Sequence, residues 1–436
     1  MRDLQRFCLF AAVVLTPFQD TILGNTPLGF VGANLSSVPV LLCAMIGMIE
    51  WFREKRYNVS ASAVAWTAYA AVLSIAYVAI WGPESHGFSV VYKTLSMGLT
   101  CFLCAYSIFY VDVSPTKGLR RSVQVAFVLL IFGVFFCDLG VAGTRVIANS
   151  SVFHITANQG GGRWRSFSAE PSMFSATVIS LGLVGAHLSS GRLGRWLMLL
   201  LTFALLIVSQ SKGALIVIAL SALIILFLNR PSILRAVGYI AGSLIIAIPM
   251  GFLIWRNLTV VDLAQSTTTF ATRASMAVWS AIVIAHNPLG VGFSGFYQAI
   301  TIYLPGAMDW VRQVSPVPLN FAEVAEYVNG TNVPLDAKCF LLEYAVNLGL
   351  PFLVSYFVFW RRVSSALKAR KQNILLATTI FLLLSFATYV NALALYAAYF
   401  ALALGYREYR FWSQEDVSNL ENSQPPSQPG STGVQR

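Results

Sequence analysis

Gly160-Gly-Gly-Arg-Trp-Arg-Ser-Phe-Ser-Ala-Glu-Pro-Ser172 is a polar, glycine-rich run with two arginines that leads straight into the apolar segment Met173 to Ala186. Pro171 suits the first position of a helix, where the N–H that proline lacks has no intrahelical partner anyway. That places Glu170 at the N-cap, with Arg163 and Arg165 just upstream. A polar approach to an apolar helix has the composition of a site at a membrane edge.

The rest of the chain repeats the apolar half of this pattern. With 57% hydrophobic and 11% charged residues and a mean hydropathy of +0.68, the 436-residue chain is too apolar for a soluble protein. Runs of roughly 20 apolar residues recur between short polar breaks, each long enough to cross a bilayer as a helix, and this excludes a β-barrel. The expected fold is therefore all-α, a polytopic integral membrane protein with about twelve transmembrane helices. These lie at about residues 7–24, 34–52, 61–81, 89–111, 119–141, 170–190, 194–209, 212–229, 233–256, 338–360, 372–390 and 391–405.

The 29 Lys and Arg against 18 Asp and Glu follow the positive-inside bias rather than a nucleic-acid signal. With both termini on the cytoplasmic side, Lys93, Arg145, Arg163, Arg165, Lys212, Arg256, Arg273, Arg312 and Lys338 face outward and all other basic residues face inward. This asymmetry supports an N-in, C-in topology. The six cysteines lie in or beside apolar runs, and Cys101-Phe-Leu-Cys104 has no His or carboxylate near it, so packing is its reading and no metal site is implied.

Residues 1–256 form helices 1 to 9 with an outer loop at 142–169. Residues 257–337 form a large outer loop subdomain between helices 9 and 10, residues 338–405 form helices 10 to 12, and 406–436 read as a disordered cytoplasmic tail. Within the subdomain, Thr272 to Ala285 reads as a helix with Met276, Val278, Trp279, Ile282 and Val283 apolar. The turn-rich His286-Asn-Pro-Leu-Gly-Val-Gly-Phe293 follows it.

Three spans point their N-termini outward and carry basic residues there. Arg163 and Arg165 precede the sixth, Lys212 opens the eighth and Lys338 opens the tenth. A helix N-terminus offers free N–H groups and partial positive charge, so convergence of these ends makes a site for phosphate or carboxylate. Each residue also has a plainer reading. The arginines suit lipid headgroups, Glu170 a simple cap, Lys212 a snorkelling lysine and His286 a helix end. Glu343, a carboxylate inside the tenth span, is read equally as a partner of Lys338 or an arginine and as a substrate contact.

Arg165-Ser-Phe-Ser-Ala-Glu-Pro-Ser172, the Ser209 to Gly213 helix start, Arg273 with His286 to Phe293, and Leu342-Glu-Tyr-Ala-Val-Asn-Leu-Gly-Leu-Pro351 together resemble the O-antigen polymerase and ligase superfamily of Wzy-type glycosyltransferases. The resemblance implies a GT-C-like, metal-independent polysaccharide polymerase needing no cofactor, in the bacterial inner membrane with its active site facing the periplasm. Donor and acceptor are polyprenyl-diphosphate-linked oligosaccharides in the lipid bilayer, a chain-length regulator is a candidate partner, and nucleic acid is not one. Arg163, Arg165, Lys212, Arg273 and Lys338 then bind the diphosphate, whose developing charge needs them. Glu170, His286 or Asp336 is the general base for the attacking hydroxyl. Ligases carry a histidine late in the large loop, and Asn332-Val-Pro-Leu-Asp-Ala-Lys338 has none. The alternatives are an O-antigen ligase and a twelve-helix transporter or flippase. The latter is disfavoured because the polar residues gather at one face rather than at the midplane.

Overall fold

The computed structural model describes residues 2–25, 32–54, 60–82, 84–85, 88–89, 98–99, 116–139, 164–168, 170–229, 260–329, 337–390 and 395–423. They form helices α1 (Arg2–Leu15), α2 (Ser37–Glu54), α3 (Ser60–Trp81), α4 (Lys117–Gly133), α5 (Pro171–Leu188), α6 (Arg192–Ser209), α7 (Lys212–Asn229), α8 (Val260–His286), α9 (Phe296–Val314), α10 (Ala322–Val328), α11 (Phe340–Ala369), α12 (Asn373–Thr388) and α13 (Tyr396–Ser423). A π-helical turn, Val134–Asp138, extends α4, and a two-residue hairpin pairs Glu84–Ser85 with Phe88–Ser89.

Five stretches are long and apolar enough to cross a membrane: Lys117–Asp138, Pro171–Leu188, Arg192–Ser209, Thr267–His286 and Phe340–Ala369. An all-helical chain with these segments is consistent with a membrane protein. The span expected at 233–256, and all but 89 and 98–99 of that expected at 89–111, lie outside the described residues.

Two main cores organise the described residues. The larger gathers α1, α2, α4 to α7, the second half of α11, α12 and α13 around α5, which is buried from Met173 to Gly182 without interruption. A helix apolar on every side belongs in such a centre. The smaller core joins Met276, Trp279 and Val283 of α8 to Phe296, Ile300 and Leu304 of α9, Val324 and Tyr327 of α10, and Val346 of α11. Trp279 anchors it, donating from Nε1 to Ala299 O at 2.9 Å while its ring meets Phe296 edge-on at 5.4 Å. The segment read as a helix from Thr272 to Ala285 is thus the second half of a longer one.

Two elements differ from the sequence expectation. The tenth span continues to Ala369 and is broken at Gly349 (φ 69°, ψ −162°), just before Pro351, so its two halves are separate helical pieces. The helix α13 runs to Ser423 and so covers 406–423, the first part of the stretch expected to be a disordered tail. No proline or glycine interrupts it before Pro425, and the intervening polar residues are compatible with a helix.

Candidate functional site

Glu170 stands at the N-cap of α5 in extended backbone (φ −137°, ψ 153°), ahead of Pro171. Its carboxylate is exposed and accepts from Ser172 Oγ at 2.9 Å, leaving the backbone N–H groups of the first turn without a side-chain cap. Upstream, the chain is pinned by an inward-facing charge cluster. The backbone N–H groups of Arg165 and Ser166 donate to Asp138 Oδ1 and Oδ2 at 3.2 and 2.8 Å. The Arg165 guanidinium, about 5% exposed, lies 3.9 Å from Asp20, itself equally buried. Burial lowers the Arg165 pKa from its ordinary value, and Asp20 and Asp138 oppose that shift. Phe167 stacks on Phe18 at 4.6 Å, and Ser166 takes a left-handed φ of 52° so that its Oγ donates to Leu130 O. The charge expected to grip a diphosphate is therefore turned toward Asp20.

The starts of α5, α7 and α11 lie at one end of the bundle. Ser175, one turn into α5, meets Ser209 at the end of α6, Oγ to Oγ at 3.0 Å. Gln210 is left-handed (φ 50°) and Lys212 then opens α7, exposed. Gly213 packs so closely on Tyr389 that a Cβ there would sit 2.8 Å from the ring. Tyr389 ends α12, and its neighbours complete the junction: Arg273 Nη1 of α8 donates to Thr388 O at 3.2 Å, and Phe340 N, opening α11, to Val390 O at 3.2 Å. Arg273 thus meets the negative end of the α12 dipole.

Lys338 joins this end through an ion pair. Its Nζ lies 3.1 Å from Glu323 Oε1 of α10, and 5.6 Å from the Tyr327 ring centroid. Tyr327 OH donates to the same Oε1, and Thr272 Oγ1 to Oε2 at 2.7 Å. Burial alone would raise the Glu323 pKa, but Lys338 and these donors hold it below the ordinary carboxylate value. A depressed carboxyl pKa stabilises the fold above the unfolded value of about 4.3, and that stability is lost as pH falls through the folded value. Glu323→Gln is expected to cost about 2 kcal/mol at neutral pH. It should also flatten the loss of thermal stability below about pH 4. Equal acid sensitivity of variant and parent in a pH series of melting curves would contradict this.

His286 ends α8, exposed, with Nδ1 on Ile282 O at 2.9 Å. Along α8 it is about 20 Å from Arg273 at the α-helical rise, so the two do not serve one reaction centre. The residues after it form a backbone joint. Val291 N and Gly292 N donate to Val346 O and Asn347 O at 3.0 and 2.8 Å, and Leu350 N to Pro288 O at 2.8 Å, across the break in α11. From α3, Tyr69 OH donates to Leu289 O and Tyr77 OH to Asn287 Oδ1, at 2.5 and 2.7 Å.

The structure thus brings Lys212, Arg273 and Lys338 to one end of the bundle with Glu170, and sets His286 apart. Arg163 and Asp336 lie outside the described residues. Sequence reasoning passed over Asp20, Asp138 and the pairing of Glu323. The available signal was carboxylates in or beside apolar runs, which need partners. Among the described residues no three His, Cys, Asp or Glu side chains are grouped to hold a metal ion.

No family model matches the chain. It is similar to an uncharacterized 49.5 kDa protein in the cps region of Klebsiella pneumoniae. The two are 24% identical over 407 residues, which cover 91% of this chain and 89% of that protein.

Proposed function

We propose that the chain is a metal-independent glycosyltransferase of the Wzy type, polymerising polyprenyl-diphosphate-linked repeat units at the periplasmic face of the inner membrane. Its topology in this reading is about twelve spans with both termini inside, residues 257–337 being the outer subdomain. The observation that carries it is that Arg273 and the helix starts that bear Lys212 and Lys338, through Gly213 and Phe340, come together at Thr388–Val390, beside the start of α5. Helix starts with basic side chains suit a diphosphate leaving group, and fixed cations there stabilise its developing charge without reorganisation. Exposed Glu170 is the favoured base for the acceptor hydroxyl. The relative's place in a cps region, named for capsule polysaccharide, supports a role in polysaccharide biosynthesis.

A deletion strain tests the reading. Surface glycans reduced to single attached repeats support polymerisation. Unattached polymer marks a ligase instead, and lipid-linked units trapped in the inner leaflet mark a flippase. Complementing with Arg273→Ala or Lys212→Ala is expected to lower chain lengthening about 100-fold at equal protein level. Glu170→Gln is expected to do so by a similar factor or more. Polymer ladders of normal length in all three would refute this placement of the site.

A further inference from the structure

The end of α8 that the proposed reaction centre leaves unused carries an aromatic cluster. His286, exposed there, lies against Tyr303 of α9 with ring centroids 5.3 Å apart and planes at 33°. Half-buried Tyr77 and Trp81, at the end of α3, meet at 4.6 Å. The Tyr77 hydroxyl donates to Asn287 Oδ1 at 2.7 Å, which ties the two ring pairs together. Seven residues beyond Tyr303, and so two turns along the same face of α9, Trp310 is 52% exposed. Between them Gly306 is exposed and a Cβ there would meet nothing within 4 Å, so the floor between the two rings is open. Polar groups rim the rings. His286 Nδ1 sits on Ile282 O, which only accepts, so the neutral imidazole carries its proton there and offers Nε2 as an acceptor. Asn287 Nδ2 gives one hydrogen to Val283 O at 3.3 Å and keeps a second to donate.

We infer that this surface is a glycan-binding subsite that holds the growing polysaccharide chain away from the reaction centre. The inference rests on the polymerase reading and extends it. The C–H face of a pyranose ring is apolar and lies flat on an aromatic ring, while its hydroxyls take hydrogen bonds at the edge, and this surface supplies both. An interfacial aromatic belt accounts for a tryptophan at a span end, such as Trp81, but not for Trp310 and His286, which the same reading places in the outer subdomain. Asp309 and Arg312 on either side of Trp310 pair with each other at 3.3 Å, so they present no net charge to an anionic lipid headgroup. His286 is about 20 Å from Arg273 along α8, a gap that several linked sugars bridge and one sugar does not. A chain held at both places stays on the protein between additions, because the second contact is then intramolecular.

The test is equilibrium binding of soluble polysaccharide, released by mild acid from the surface of the parent strain, to the purified full chain in neutral detergent. Trp310→Leu and His286→Ala, both at exposed positions, are expected to melt with the parent and to weaken binding about fivefold each. Adding Tyr303→Leu to His286→Ala should weaken it at least about tenfold. Trp196→Leu, at an exposed ring on α6, is expected to bind as the parent does. In nanodiscs, bromination of the lipid chains should remove the same amount of fluorescence from the parent and from Trp310→Leu. A smaller loss in Trp310→Leu would put that ring in lipid and overturn the site. So would a parent that does not bind the polysaccharide, or variants that bind it as the parent does. In the complemented deletion strain the cluster variants should make shorter chains, unlike Arg273→Ala, which lowers all lengthening. Because binding needs no turnover, normal ladders in the deletion strain itself would refute the polymerase reading alone. Parental chain lengths in variants that bind weakly would refute the hold on the growing chain.

Discussion

Arg165→Ala is expected to leave little folded protein in the membrane, before any question of activity arises. The side chain is about 5% exposed and sits 3.9 Å from Asp20, while its own backbone N–H and that of Ser166 hold Asp138. Removing the guanidinium leaves the buried Asp20 carboxylate without the cation beside it, at a cost of about 3–5 kcal/mol. That is a large part of the whole stability of a typical protein, about 5–15 kcal/mol. Arg165→Gln combined with Asp20→Asn removes opposite charges together, and is expected to recover much of the loss because no isolated charge remains buried there. Asp138→Asn should cost less than Arg165→Ala, since an amide oxygen still accepts one of the two backbone N–H groups. Membrane levels and melting temperatures of the four proteins check the order. Arg165→Ala melting with the parent would show that the cluster does not hold the approach to α5. If the order holds, missing polymer in Arg165→Ala says nothing of diphosphate contact until it is normalised to folded protein.

What was legible in the sequence follows the range of each signal. The helices α5, α6 and α7 begin and end within a few residues of expectation because local punctuation sets them: Pro171 after Glu170, Gly191 before Arg192, and the Gln210-Ser211 break. The apolar spacing of Met276, Trp279 and Val283 likewise marked the buried face of α8. Pairings across long separations carry no such local trace. Asp20 and Arg165 come together across more than a hundred residues, and the sequence equally allowed Lys338 to meet Glu343 rather than Glu323. The sequence put positive charge at three helix starts, and the alternation of spans with the Lys and Arg asymmetry gave those starts one expected direction. Their meeting with Thr388–Val390 depends on how α12 packs between α7 and α11, which no single stretch encodes. His286–Phe293 was read correctly as turns, yet its use as a joint with α3 and α11 needed partners from distant parts of the chain.

That joint gives the other large expected effect. Gly290 and Gly349 pass backbone to backbone, both with positive φ, 91° and 69°. A Cβ on Gly290 would sit 2.5 Å from Asn347 O and 2.6 Å from Gly349 N, and one on Gly349 would sit 2.3 Å from Pro288 O. These are main-chain atoms in short hydrogen-bonded segments, so no side chain can rotate away to relieve the overlap. Gly349 adds a conformation (ψ −162°) that is essentially glycine's own, so alanine there pays strain of about 1–3 kcal/mol besides the clash. Gly349→Ala and Gly290→Ala are each expected to destabilise by more than about 3 kcal/mol, as losses of special backbone geometry do. Because each removes the same close approach, the double variant should cost clearly less than the sum of the two. Gly306→Ala serves as the control, for nothing lies within 4 Å of a Cβ there, and in the helical interior of α9 alanine is the better helix former. Thermal unfolding of the four proteins decides the matter. Full additivity, or a Gly349→Ala protein as stable as Gly306→Ala, would mean that the two halves of α11 separate from the His286–Phe293 segment without loss, and that the break in the helix is not held by this joint.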